Sequence, residues 1–252
     1  GVIGIEVVTH AAADGYTLLL GASGALVINP ALNPRLSYDT FKDLAPIPRV
    51  VLNPQLLAFH PSLAANTVPE LIQIAQAKPG QINYASVGIG TSPHLGMEML
   101  KAMAGINLTH VPYKGTAPAL TDLLGGQVSL MFTSMATVLP HVRAGRVKGI
   151  AVGSAKRSPA VPEIPTVAES GVAGFDYVTW FAFFAPARTP KDIIAKLNGE
   201  IVRILAEPKL AQSFASQGAE PSATTPEGLT RYMRDEHERW KRVIKSANIQ
   251  PE

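Results

Sequence analysis

The chain of 252 residues is 46% apolar and 16% charged, apolar enough to bury a sizeable core and too weakly charged for a disordered polymer. Its net charge of +3 comes from 22 basic residues set against 19 acidic ones, scattered without a basic stripe, which argues against nucleic-acid recognition. Cysteine is absent, which excludes disulfides, thiolate metal sites and cysteine nucleophiles, and no run approaches the ~18 apolar residues of a membrane-spanning helix.

Tyr16 to Leu20 reads as a strand ending at Gly21, and Gln55 to His60 as another, stopped by Pro61. Thr67-x-x-Glu70 is a capping box, so a helix begins there with Leu71, Ile74 and Ala75 on one face and Lys78-Pro79-Gly80 at its end. Ile82 to Ser86 is a strand. A glycine turn follows, then a helix with Pro93 in its first turn and Gly105 past its end. Leu108 to Val111, Val128 to Phe132 and Val147 to Val152 are further strands. Thr116 is expected to cap a helix that runs to Leu124 and stops at Gly125-Gly126, and a short helix follows Phe132. Tyr177 to Ala185 is an apolar, aromatic, extended run. Thr189-Pro190 opens a helix that buries Ile193, Ile194, Leu197, Ile201 and Leu205, and Thr225-Pro226 opens the last helix. The mixed charges from Arg231 to Lys245 read as the solvated face of that helix. Alternation at this spacing predicts α/β layering with mainly parallel sheets.

The segment from Asn83 to His94, with Gly88 and Gly90 at its centre, has the order strand, glycine turn, helix start. Glycines let backbone approach a ligand closely, and the first N–H groups of a helix have no internal partners and favour an anion. Ser86, Thr91 and Ser92 add hydroxyl donors. The same residues also serve an ordinary capped βα turn. A dinucleotide fingerprint fails, because position 93 is proline and no acidic residue follows at the ribose spacing. Gly21-Ala22-Ser23-Gly24-Ala25 misses the hydrolase nucleophile elbow by one residue, alanine at 25. Ser23 with His94 or His110 as base is the enzymatic alternative; a turn with its hydroxyl toward a cleft is the plainer one. The six histidines, His10, His60, His94, His110, His141 and His237, form no His-x-x-x-His pair, so no metal is expected, and no cofactor motif stands out. In His110-Val-Pro-Tyr-Lys-Gly-Thr116, Lys114 either offers a cation to an anionic ligand or faces solvent. Trp180 to Phe184 alternates as a core strand would, with Phe181 the ring expected to wall a pocket.

Several stretches in series resemble the Bug, or TctC-like, family of substrate-binding receptors of tripartite tricarboxylate transport systems. They are Asp14 to Gly21, Ile28 to Leu32, Asn83 to Ser86 with Gly90-Thr91 and His94-Leu95, and His110 to Gly115. Further on come Ala119 to Gln127, Ser154 to Ser158, Ile164 to Glu169, and Trp180-Phe181 with Phe184-Ala-Pro186. The resemblance implies a two-lobed periplasmic binding protein of the type 2 flytrap kind, with lobe one over 1–53 and 178–252 and lobe two over 54–177. It implies a receptor rather than an enzyme: periplasmic, monomeric, capturing a small carboxylate for a membrane permease, or presenting it to a sensing partner. The family's carboxylate-holding turn maps onto Ser86, Gly88, Gly90 and Thr91, and its first-lobe turn onto Ser23 and Gly24. Where relatives carry Phe-Asp-Asn this chain has Phe132-Thr133-Ser134, so Thr133 joins the expected ligand set and an amine-bearing ligand is disfavoured. Relatives open with a βαβ portion that has no counterpart before Gly1. Its absence is expected to leave an open strand edge or an apolar patch on lobe one.

Overall fold

The computed structural model describes residues 1–250; Pro251 and Glu252, the end of the expected return segment, lie outside the described residues. Helix α1 (Val2–Thr9) leads to strand β1 (Leu19–Ala22). A π-helical turn (Gly24–Ile28) then runs straight into α2 (Asn29–Leu32), and α3 (Thr40–Asp43) precedes the long strand β2 (Leu44–Phe59). An alternating series follows: α4 (Val68–Ala77), β3 (Asn83–Ser86), α5 (Ser92–Ala104), β4 (Thr109–Pro112), α6 (Thr116–Leu124), β5 (Leu130–Ser134), α7 (Met135–Arg143) and β6 (Lys148–Val152). Strand β7 (Val178–Pro186), helices α8 (Lys191–Leu205) and α9 (Pro208–Ser216), the short β8 (Glu220–Pro221) and α10 (Pro226–Ser246) complete the chain.

The local signals hold at several ends. Thr67 Oγ1 accepts the Glu70 N–H, and Glu70 reaches back to the Asn66 N–H, one residue earlier than an ideal capping box. Thr225 Oγ1 accepts the Gly228 N–H at the head of α10. Other elements differ from expectation. The first strand sits at Leu19–Ala22 rather than at Tyr16 to Leu20. Helices α1, α2, α3 and α9 were not foreseen; two of them span only four residues, too short to show a period.

The expectation of mainly parallel sheets is corrected. Of the strand pairs, only β3 with β4 and β3 with β5 are parallel; β1–β7, β2–β7, β2–β5, β2–β6 and β2–β8 are antiparallel. The reason is topological. β3, β4, β5 and β6 all run one way, as their α-helical crossovers require, but β2 is threaded between β5 and β6 and opposes both. The crossovers are legible in the sequence; a strand inserted between their ends is not.

Strand β2 also explains a missed span. Its Leu44 to Pro54 stretch pairs with β7 in the first sheet, and its Gln55 to Phe59 stretch pairs with β5 in the second. The sequence showed only the second stretch, because Pro46, Pro48 and Pro54 argue against a strand. The register shifts between Pro46 and Arg49, and again between Arg49 and Val51, and these irregularities accommodate residues that cannot join the ladder. At the crossing, Gln55 Nε2 donates to Asn53 O and Thr179 Oγ1, both at 3.0 Å. The Gly153 N–H donates to Gln55 O and the Tyr177 N–H to Gly153 O, each at 2.7 Å.

On the outer side of the first sheet, β1 pairs with β7 alone among the described residues, and Ile3, Val7 and Leu20 are exposed beside it. The main core runs unbroken from Leu26, Ile28 and Trp180 in the first lobe to Leu57, Tyr84 and Phe132 in the second. Helix α10 carries the join. Its Trp240 meets Tyr177 edge to face, with ring centroids 6.1 Å apart, and Tyr177 in turn meets Phe132 at 5.3 Å. Gly96 on α5 makes room for this column, since a Cβ there would stand 2.4 Å from the fully buried Tyr177 ring. The ring is held on two sides and cannot step away. Gly96→Ala is therefore expected to destabilise the protein by about 1–3 kcal/mol despite alanine's better helix propensity. Equilibrium urea unfolding checks it, and an unchanged or raised midpoint would contradict the packing described.

Candidate functional site

Two turns face each other at the ends of strands from different sheets. After β1 the chain enters the π-helical turn at Gly24, and after β3 it passes through Val87 to Gly90 into α5. They bound a cleft of about 510 Å³. Ala22, Gly24, Ala25, Asn29, Leu32 and Asn33 line it from the first lobe, and Val87, Ile89, Gly90, Thr91, Ser92 and Pro93 from the second. The approach is close enough to demand glycine: a Cβ on Gly24 would stand 2.9 Å from Ser92 Oγ, and one on Gly90 2.7 Å from Leu32 Cδ2. Gly88 and Gly90 also hold φ of 130° and 71°, where other residues are strained.

The second turn is braced from inside. The Gly88 N–H donates to Ser86 Oγ at 3.1 Å, and Ser86 Oγ lies 2.6 Å from His110 Nε2. The Gly90 N–H donates to His94 Nδ1 at 3.1 Å. Thr91 Oγ1 donates to Gly88 O at 2.6 Å and does not cap α5, so its hydroxyl braces the turn. At the head of α5 the Ser92 N–H precedes the first intrahelical bond, from the Leu95 N–H to Thr91 O, and Pro93 has no N–H. The Ser92 N–H and hydroxyl and the Asn29 and Asn33 amides offer hydrogen-bond donors to a largely apolar cleft that Gly1 and Val2 also line. No Asp, Glu, Lys, Arg or His side chain lines it among the described residues.

The first turn is pinned from behind. Tyr38 Oη donates to Ala25 O at 2.6 Å, with burial pushing its pKa up to about 12 so that the phenol stays a donor, and a ring nitrogen of His237 lies 3.1 Å from Val27 O. A second depression, of about 430 Å³, is lined by Tyr38, Asp39, Thr40, Asp43 and His237 and shares only Asn33 with the cleft; its two carboxylates would repel an anion.

Of the residues singled out from sequence, Gly24, Gly90 and Thr91 line the cleft, while Ser86 and Gly88 form the layer beneath it. Ser23 is 1% exposed and its Oγ accepts the Trp180 N–H at 3.3 Å, so its hydroxyl faces inward and makes no nucleophile. The serine–histidine contact that does occur, Ser86 with His110, is buried at the serine and has no carboxylate bonded to the imidazole among the described residues. Lys114 is exposed and outside the cleft. Thr133 is buried in β5 opposite Leu56. Phe181 packs with Val50, Val51 and Leu205 under α8 and α9 and lies outside the cleft lining. Sequence reasoning passed over Asn29 and Asn33, although their i, i+4 spacing places both amides on one side of a helical turn.

Over residues 1–249 the chain matches the family described as the tripartite tricarboxylate transporter family receptor. Protein BugT of Bordetella pertussis is 37% identical over 248 residues, covering 98% of this chain and 76% of BugT. A Rhodopseudomonas palustris protein solved with adipate superposes with a TM-score of 0.91 at 34% identity, covering 100% of this chain and 84% of that one. MatC from the same organism, solved with bound malate, gives 0.84 at 31% identity, covering 96% and 84%.

The geometry of the glycine turn yields a two-step expectation. Gly90→Ala should cost about 1–2 kcal/mol from the positive φ, with a further loss from the contact with Leu32. Adding Leu32→Ala should return only the steric part once that variant's own cavity cost is subtracted. Urea unfolding of the four-member cycle measures both, and full recovery in the double variant would show that the backbone conformation carries no strain.

Proposed function

The chain belongs to the tripartite tricarboxylate transporter receptor family, and we propose that it is an extracytoplasmic receptor that takes a small carboxylate into the cleft between Gly24 and Gly90 and delivers it to a membrane permease. Members of this family and the structural neighbours are periplasmic binding proteins, not enzymes. The observation that carries the ligand assignment is the set of hydrogen-bond donors offered to the cleft at the head of α5. Free N–H groups at a helix start favour an anion by ~0.3–2 kcal/mol, and each hydrogen bond to a charged group adds about 1.5–3 kcal/mol. A carboxylate held in this way needs no lysine or arginine. Leu32, Val87 and Ile89 meanwhile offer apolar contact to the carbon skeleton.

In this reading lobe one comprises 1–53 with the return segment from 178, and lobe two comprises 54–177. The passage of β2 from one sheet to the other at Pro54 and Gln55, and the start of β7 at Val178, support that division. The crossing of β2 and the segment that leads into β7 act as the hinge, and ligand bound between the turns favours the closed form that the permease recognises. The receptor works as a monomer in the periplasm. Among the described residues no helix is long and apolar enough to cross a membrane.

Adipate and malate, the ligands of the R. palustris relatives, are the first probes. Calorimetry should show Lys114→Ala binding within about twofold of the parent, because Lys114 lies outside the cleft. Thr91→Ala should weaken binding roughly tenfold by loosening the turn, and Leu32→Asp by ~100-fold or more by placing a like charge against the ligand. Loss of binding in Lys114→Ala with Thr91→Ala unaffected would move the site elsewhere.

A further inference from the structure

The layer beneath the glycine turn contains a group of ionisable side chains that never reach the cleft surface. His94 and His110 stack at 4.1 Å between centroids with 19° between planes, and His110 stacks on Tyr84 at 4.9 Å. Each glycine N–H of the turn is backed by one of these histidines. Gly90 donates directly to His94 Nδ1, and Gly88 donates to Ser86 Oγ, which contacts His110 Nε2. The Gly90 N–H can donate only to an unprotonated nitrogen, so the His94 proton sits on Nε2, 4.0 Å from Glu98 Oε1.

The ionisable groups acting on the two rings are Glu98 and Lys101 from α5, Tyr84 from β3, and the rings themselves from α5 and β4. Glu98 is already engaged: Lys101 Nζ lies 2.6 Å from it, and the Tyr84 hydroxyl donates to the same oxygen. Glu98 favours a proton on either ring and Lys101 disfavours it, and burial outweighs both. Burial holds the His94 pKa below the ordinary histidine value, and burial followed by the neighbouring His94 brings His110 down to about 4. A proton on His94 Nδ1 would oppose donor to donor across the 3.1 Å contact with Gly90.

We infer that His94 is a positioning residue for the ligand: its neutral ring holds Gly90 and thereby sets the turn, and protonation of that ring frees the turn and lowers ligand affinity. This rests on the reading of the cleft as a carboxylate site. The sign follows from the depressed pKa values: the interaction is fully present above the ordinary histidine value of ~6.5 and is lost as pH falls through the lower folded value.

Two substitutions separate positioning from packing. His94→Asn places an amide oxygen near the position of Nδ1 and cannot titrate, whereas His94→Leu fills space without an acceptor. Two measurements are made on each folded protein, with thermal melts confirming the fold. One is amide exchange at Gly90 by NMR without ligand, corrected for intrinsic rates; the other is calorimetry with adipate and with malate. In the parent, Gly90 protection and affinity should both fall, affinity roughly tenfold, between about pH 7.5 and about pH 4.5. In His94→Asn Gly90 protection should stay near the neutral-pH parent value across that range and affinity should fall only as far as protonation of the ligand's own carboxylates requires, and in His94→Leu both should be low throughout. A parent-like pH profile of Gly90 protection in His94→Asn, or parent-like Gly90 protection in His94→Leu, would overturn the assignment. Should neither acid bind any variant, the carboxylate reading fails for these probes, while the Gly90 exchange rates still decide the role of His94.

Discussion

Strand β2 has neighbours on both flanks in both sheets: β7 and β8 along its first part, β5 and β6 along its second. The two lobes are therefore joined by a continuous ladder rather than by a flexible linker, and their placement follows from its register. β1 is fixed through β7, and β3 through β5. The two turns that bound the cleft leave the ends of β1 and β3, so the distance between Gly24 and Ser92 is inherited from pairings far from either residue. Side-chain periodicity specifies such a register, because a one-residue slip would exchange Leu57 and Phe59 with Leu56 and Ala58 between two differently packed core clusters.

Charge is kept behind the surfaces that meet the ligand. Arg49 lies over the Tyr232 ring, Arg239 pairs with Glu236 and Asp176, and Lys101 pairs with Glu98, all away from the cleft lining. Glu236 is 5% exposed and takes the Trp180 indole N–H; burial raises its pKa and Arg239 opposes the rise. A cleft furnished with fixed dipoles rather than with mobile cations meets a carboxylate at little reorganisation cost, because backbone N–H groups at a helix start are already oriented.

Legibility in the sequence followed the range of the interactions. Short-range chemistry was readable: Thr67 and Thr225 cap their helices, and Gly88 and Gly90 make the tight turn after β3. Long-range pairing was not. Nothing near Pro46 or Pro48 indicates that β7 will accept an irregular partner there, and nothing near Gln55 shows that β2 will part β5 from β6. The same limit applied to the site. The glycine turn was identified from its local pattern, but the orientation of Ser23 depends on Trp180, 157 residues away, and that of Phe181 on α8 and α9. The histidines behind the turn were visible as letters and silent as a pair, since His94 and His110 meet only once β3 and β4 lie side by side.

The chain has two tryptophans, and both lie where the lobes join. Trp180 touches Ser23 through its backbone and Glu236 through its indole, with Tyr232 at 6.0 Å; Trp240 packs on Tyr177 and is 1% exposed. The tryptophan emission of the protein therefore comes entirely from the neighbourhood of α10. Both indoles are shielded from water, which places their emission toward the blue, and both have a tyrosine close enough to pass excitation to them. The opening and closing proposed above would alter the surroundings of both tryptophans at once, so their emission would follow it in a cuvette without an attached dye.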